Sequence, residues 1–411
     1  MDRRDFLKVS GVVAGAAFAG VPLETARADA EFRTLPAKGA FYQRRNGQLV
    51  LMARGLVESV SDDEGLSWSK PKLAMCNGEA IASDSHVLGL LRLNSGKLGL
   101  AYGRMRKVHD SMRQEILFRT SDDDGKTWSP ENSVTPLPGD DLYALHGSMV
   151  QLKSGRLILP AYTSFSHDYV GRPRGVGHGW LPEWYATHML LSDDEGQTWE
   201  PTGGMFLWKD MGHGGLVPCG EATVAETADG RVMMLARTTN MRALQSYSED
   251  GGKTWSLVEL SELCSSNAPI RLKRIPQTDD LLIVWNQCTA QEHREGYGRS
   301  RLSMALSKDS GKTWQGFRNL VLCPGMSSAP HVVDPEPPQF IRAGESTNPG
   351  QVPNNSIRGI ICSSYPNVHV FNDKIYVDYN NYTAPNLWVG KGERKDVCQR
   401  LHILQLGDVY A

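Results

Sequence analysis

Five segments place titratable or hydrogen-bonding residues at matching points, where an apolar alternating stretch begins: His86, His146, Glu221, Asn267 and Tyr365. A second set closes the stretch that follows each turn: Arg54, Tyr162, Arg237, Asn286 and Asn380. Packed sheet faces select Val, Ile and Leu, so a recurring ring of imidazole, carboxylate, amide, phenol and guanidinium groups suits the hydroxyls of a carbohydrate. His86 and His146, at equivalent starts, add groups that titrate near neutrality. Residue type alone leaves a second reading open at each point, since a single tyrosine or histidine also serves as a satisfied core or rim residue. The seven cysteines, at 76, 219, 264, 288, 323, 362 and 398, have no CxxC spacing. Neither a metal nor another cofactor is therefore expected.

The elements that position these residues announce themselves through a repeat. The octet Ser-x-Asp-x-Gly-x-(Ser/Thr)-Trp occurs at Ser61–Trp68, Ser121–Trp128, Ser192–Trp199, Ser248–Trp255 and Ser307–Trp314, with start-to-start spacings of 60, 71, 56 and 59. That period suits one four-stranded blade per repeat. The octet's chemistry is that of a folding staple: Ser and Asp side chains bond the turn's own N–H groups, Gly takes positive φ, and Trp fills the space beneath. Alternating stretches with turn residues recur around the octets, at 40–53, 87–102, 148–162, 223–236 and 270–285, and a sixth copy without an octet spans 366–379. The expected fold is all-β, a six-bladed propeller over residues 29–411, with the octets on the face opposite the polar ring and Leu401–Leu406 closing the circle. Phe165–Tyr185 and Pro324–Ser356 break the period and read as surface or binding loops.

The octets and their flanks resemble the Asp-box (BNR-repeat) proteins of the sialidase superfamily over roughly residues 40–408. Glu221 to Arg237 resembles the family segment that supplies an active-site glutamate and then an arginine. Arg301 to Ser307 resembles the segment with a further substrate arginine, and Ser364 to Tyr379 the one with the nucleophilic tyrosine. The resemblance implies Tyr365 as nucleophile, Glu221 as its base and Arg237 and Arg301 as anion ligands. It implies Asp110 as general acid, with Asp84 next. One position departs: the second inner strand, where a further arginine is implied, begins Asp84-Ser85-His86-Val87. The tyrosine–glutamate pairing has its own logic. A phenol does not repel a substrate carboxylate, but with an ordinary pKa of roughly 10 it needs a neighbouring carboxylate to take its proton.

Lys and Arg number 44 and Asp and Glu 46, for a net charge of −2. With no basic run, neither nucleic acid nor an anionic membrane is an expected partner. Residues 1–28 read as a twin-arginine signal, with Arg3-Arg4-Asp5-Phe6-Leu7-Lys8, an apolar run and Ala26-Arg27-Ala28, so a periplasmic or secreted location without membrane insertion is expected. The partner is then a glycan or oligosaccharide, and oligomeric state is not legible. Three readings remain: a retaining exo-glycoside hydrolase for acidic or decorated sugars, a lyase for uronic-acid polysaccharides using histidine or tyrosine as base, and a glycan-binding propeller without catalysis. Substrate-binding residues in the first are Arg237, Arg301, His86, His146, Arg54 and Asn267.

Overall fold

Alternation and turn chemistry repeat around the chain, and each repeat becomes an antiparallel sheet. The computed structural model describes residues 32–76, 79–80, 85–108, 111–134, 143–144, 146–164, 185–202, 208–210, 215–217, 219–238, 240–338, 361–383 and 395–411. The expected signal segment, Asp84, Asp110, all but the last residue of Phe165–Tyr185 and most of Pro324–Ser356 lie outside the described residues.

Six blades form a β-propeller. The first runs outward through Gly39–Gln43, Leu49–Ala53, Val57–Ser61 and Lys72–Leu73, and the fourth through Gly220–Glu226, Val232–Arg237, Arg242–Ser248 and Glu259–Cys264. The sixth begins inside with Ile361–Phe371, continues through Lys374–Thr383 and Lys395–Gln405, and ends on a strand from the other end of the chain, Phe32–Leu35. The circle is therefore closed by the short segment Phe32–Leu35, paired with Gln399–His402, and not by Leu401–Leu406 alone. Closure leaves the last blade with a full outer strand where an unpaired edge would otherwise stand.

The core is a set of wedges between blades. Apolar clusters join the first blade to the second around Tyr42, Met52, Leu100 and Trp128, the fifth to the sixth around Val284, Leu302, Val377 and Tyr379, and the sixth back to the first around Phe41, Leu51, Tyr376 and Leu401. Each octet tryptophan packs into such a wedge, Trp128 at 2% exposure. Within an octet the serine hydroxyl accepts from the glycine N–H (Gly65 N to Ser61 Oγ, 2.8 Å), and the aspartate takes both the backbone and hydroxyl of the next Ser or Thr (Ser67 to Asp63, 2.8 and 2.6 Å). The glycine must be glycine: Gly196 has φ +89 and a Cβ there would strike the Phe118 ring of the preceding blade.

The octets lie at the far end of the sheets from the inner-strand starts. In the fourth blade Gly220 pairs with Arg237, while the octet's first residue, Ser248, pairs with Val232, which faces Glu226. The same order holds in the first blade, where Gly39 pairs with Ala53 and Gln43 with Leu49, itself opposite Ser61. No disulfide joins any of the seven cysteines, all of which lie among the described residues.

The staples carry a pH prediction. The Ser67 hydroxyl, first among several donors, holds the Asp63 carboxyl down at about 2. A depressed folded value stabilises above the unfolded carboxyl range and is lost as protons return, so thermal stability should fall progressively from about pH 4 towards 2. Scanning calorimetry across that range should show Asp63→Asn starting lower and losing less on acidification. Parallel curves for both proteins would refute it.

Candidate functional site

Two inner strands are bent where the site forms. Gly220 pairs with Arg237 and Thr223 with Leu235, leaving Glu221 and Ala222 opposite one residue. Ser364 pairs with Asn380 and Asn367 with Asp378, leaving Tyr365 and Pro366 in the same relation. At these bulges Glu221 has φ +49 and Tyr365 φ +58. Bulky residues seldom occupy that region, and each costs about 1–3 kcal/mol that the surrounding fold must offset. The bulges turn both side chains out of the alternation, so that two residues on different blades meet.

The phenol Oη of Tyr365 donates to Glu221 Oε1 at 3.4 Å. Glu221 Oε2 is paired with Arg237 Nη1, and Arg237 Nε donates to Asn267 Oδ1 at 2.6 Å. Arg299 donates to the Asn267 carbonyl at 3.2 Å and lies 5.4 Å from the Tyr365 ring centroid. Lys38 Nζ lies 4.6 Å from the same centroid. A phenol, a carboxylate and three cations thus share one mouth of the ring.

Beneath them is a polar floor. Arg271, 2% exposed, donates to the Pro366 carbonyl at 3.3 Å, the Gly147 carbonyl at 2.9 Å, Asn367 Oδ1 at 3.1 Å and the His146 carbonyl. It ties the third, fifth and sixth blades together one residue past Tyr365. Asn367 in turn donates to Asp378 Oδ2 at 3.3 Å. Burial pushes Asp378 up to about 7, against the Asn367 bond and the charges of Lys38 and Arg271. Burial, and then the charge of Lys38, hold His146 down at about 3, with its Nδ1 against the Val87 carbonyl.

The structure therefore brings together Tyr365, Glu221, Arg237 and Asn267, with His146 in the floor. Arg301 stands apart. It is fully buried in the fifth blade, with its guanidinium on both Glu292 oxygens (2.9 and 2.7 Å) and on the Ser327 carbonyl at 2.9 Å. Glu292 reaches it from the five-residue helix Ala290–Arg294, capped by Thr289. Arg299, two residues earlier, lies beside Tyr365. His86 Nε2 lies 3.2 Å from Gln114 Nε2 among the strands of the second blade, and Arg54 is exposed just past Leu49–Ala53 on the site face. Lys38 has a signal in the sequence: it precedes the inner strand of the first blade, Gly39–Gln43, at the point where the other blades carry polar residues. The signal for Arg271, the cation that opens the inner strand Arg271–Arg274 (Arg-Leu-Lys-Arg), is equally present.

Known proteins resemble this chain in sequence and in fold. A sialidase of Vibrio cholerae is 27% identical over 212 residues, covering 46% of this chain and 25% of its own length. A sialidase of Bacteroides fragilis is 25% identical over 299 residues, covering 65% of this chain and 49% of its own. The chain thus spans between a quarter and about half the length of these relatives. In fold it is similar to a Dyadobacter fermentans protein of unknown function (TM-score 0.56, 17% identity, 91% of this chain and 98% of that one). It is also similar to NanB sialidase of Streptococcus pneumoniae (TM-score 0.54, 15% identity, 92% and 69%). Residues 88–377 match the family described as BNR repeat-like domain, and the chain belongs to that family.

Proposed function

We propose that this protein is a retaining exo-glycoside hydrolase for acidic or decorated sugars, with Tyr365 as nucleophile and Glu221 as the base that takes its proton. The sialidase relatives and the propeller support a glycoside-hydrolase-like or glycan-binding role, and the observation that favours catalysis is the 3.4 Å contact from Tyr365 Oη to Glu221 Oε1. In the first step Oη bonds to the anomeric carbon as its proton passes to Glu221, and the glycosidic bond breaks. The leaving oxygen takes a proton from an acid, for which Asp110 is the candidate. Water then releases the sugar by the reverse sequence, restoring the phenol. Arg237 and Arg299 offer guanidinium donors to a substrate carboxylate.

The lyase reading needs a histidine or tyrosine free to abstract a carbon-bound proton. His146 supports it poorly, since its Nδ1 is engaged by Val87 and it belongs to the floor. Export through the twin-arginine pathway belongs to the same proposal, and changing Arg3 and Arg4 to Lys should strand the protein in the cytoplasm.

The deciding assay offers a panel of acidic oligosaccharides and follows both released sugar and ultraviolet absorbance. Released monosaccharide with no new absorbance is the expected result. An unsaturated, absorbing product would make the protein a lyase, and binding without any product a lectin-like propeller.

A further inference from the structure

The chemistry above assigns no task to Lys38. It sits where the chain enters the inner strand Gly39–Gln43, and its Nζ is 4.6 Å from the Tyr365 ring centroid. The charged and titratable groups facing it come from every side: Asp378 and Glu221 attract it, Arg271 and Arg299 repel it, and His146 feels its charge. Burial lowers its amine below the usual lysine range, Asp378 and Glu221 opposing that shift. An ammonium stripped of much of its water interacts strongly with whatever negative charge forms nearby.

The group that must become negative is the Tyr365 oxygen. Its proton moves towards Glu221, which is already paired with Arg237. A cation against the ring interacts modestly with the neutral phenol, through the ring quadrupole, and more strongly with the phenolate, whose charge is spread over oxygen and ring. We propose that Lys38 activates Tyr365, its ammonium favouring the phenolate as the phenol proton passes to Glu221. Lys38 thus acts through Tyr365 and not on the sugar. The inference rests on the nucleophile reading of Tyr365, but its test needs no turnover.

That test is the rate at which N-acetylimidazole acetylates Tyr365 at neutral pH, resolved by peptide mapping. Here the phenolic oxygen attacks the acyl carbon and imidazole leaves. Tyr297, partly exposed and outside the cluster, provides the internal reference in the same digest. Lys38→Met should slow acetylation of Tyr365 about tenfold, the size expected of one charge lost within ~4–6 Å, with Tyr297 unchanged. Lys38→Arg should keep the rate within about threefold of wild type, because it keeps the charge. If Lys38→Met does not fold, Lys38→Gln makes the same comparison. Wild type alone then gives a second measurement: the Tyr365 to Tyr297 rate ratio should fall as alkali removes the Lys38 proton, below the ordinary lysine range. Equal Tyr365 rates in wild type and the neutral variant, or a flat ratio in alkali, would overturn the proposal. A protein that hydrolyses no glycoside would refute the hydrolase reading and leave these ratios untouched. Turnover with equal acetylation rates would refute only the role of Lys38.

Discussion

Tyr365→Phe is expected to lower kcat/KM on an acidic aryl glycoside by about 10³-fold or more, with the folded protein otherwise intact, because it deletes the attacking oxygen and little packing. Glu221→Gln should cost about 10²–10⁴-fold, the range for a lost general base. The two losses should not add. With no oxygen to deprotonate, the base has nothing to act on, and the double variant should be about as slow as Tyr365→Phe. Additive losses would mean that Glu221 works on something other than the phenol, despite the 3.4 Å contact. An aryl leaving group is the informative choice because it departs with little help, which isolates the nucleophile from the acid.

Arg301→Ala should chiefly damage stability, and Arg299→Ala chiefly specificity. Arg301 is fully buried against Glu292, and removing it strands a carboxylate of low exposure, at a cost of about 3–5 kcal/mol. Chemical denaturation should read that loss while the ratio of kcat/KM for acidic over neutral glycosides stays put. Pairing Arg301→Met with Glu292→Gln should recover part of the stability. Arg237 and Arg299 line the mouth beside Tyr365 and share Asn267. Losing Arg299 should cost about 2–5 kcal/mol on acidic substrates alone, some thirtyfold to several thousandfold, whereas losing Arg237 also strands Glu221 and should slow neutral glycosides as well. A fall in that ratio for Arg301→Ala, with stability unchanged, would restore it to the substrate and remove the case for Arg299.

What the sequence made legible was what is local. An octet's hydrogen bonds run between residues two to four apart, so Ser61, Asp63, Gly65 and Ser67 specify the turn wherever it lies. Six copies of one pattern then gave the blades, and equivalence between blades gave Glu221, Arg237, Asn267 and Tyr365. Arg301 and Arg299 differ by something no neighbour in sequence reveals, the carboxylate of Glu292 folded back over Arg301 by a short capped helix. The bulges were hidden for a related reason. Positive φ at a glutamate and a tyrosine contradicts local preference and depends on the packing of the blades around them, with Arg271 bonded to the carbonyl that follows Tyr365. The closing strand Phe32–Leu35 is four residues long with one buried side chain, too brief for any alternation to stand out.

That strand also sets a clock. Phe32 pairs with His402, so two residues 370 positions apart must meet before the last sheet is whole. At ordinary rates of ribosomal synthesis the first partner waits on the order of tens of seconds for the second. Meanwhile the nascent chain is an arc of blades with an unsatisfied strand at either flank, each a template for a neighbouring copy. Crowded translation of many copies at once is thus the moment of greatest danger for this molecule, and dilute synthesis, with few copies made together, the condition under which it should be recovered intact.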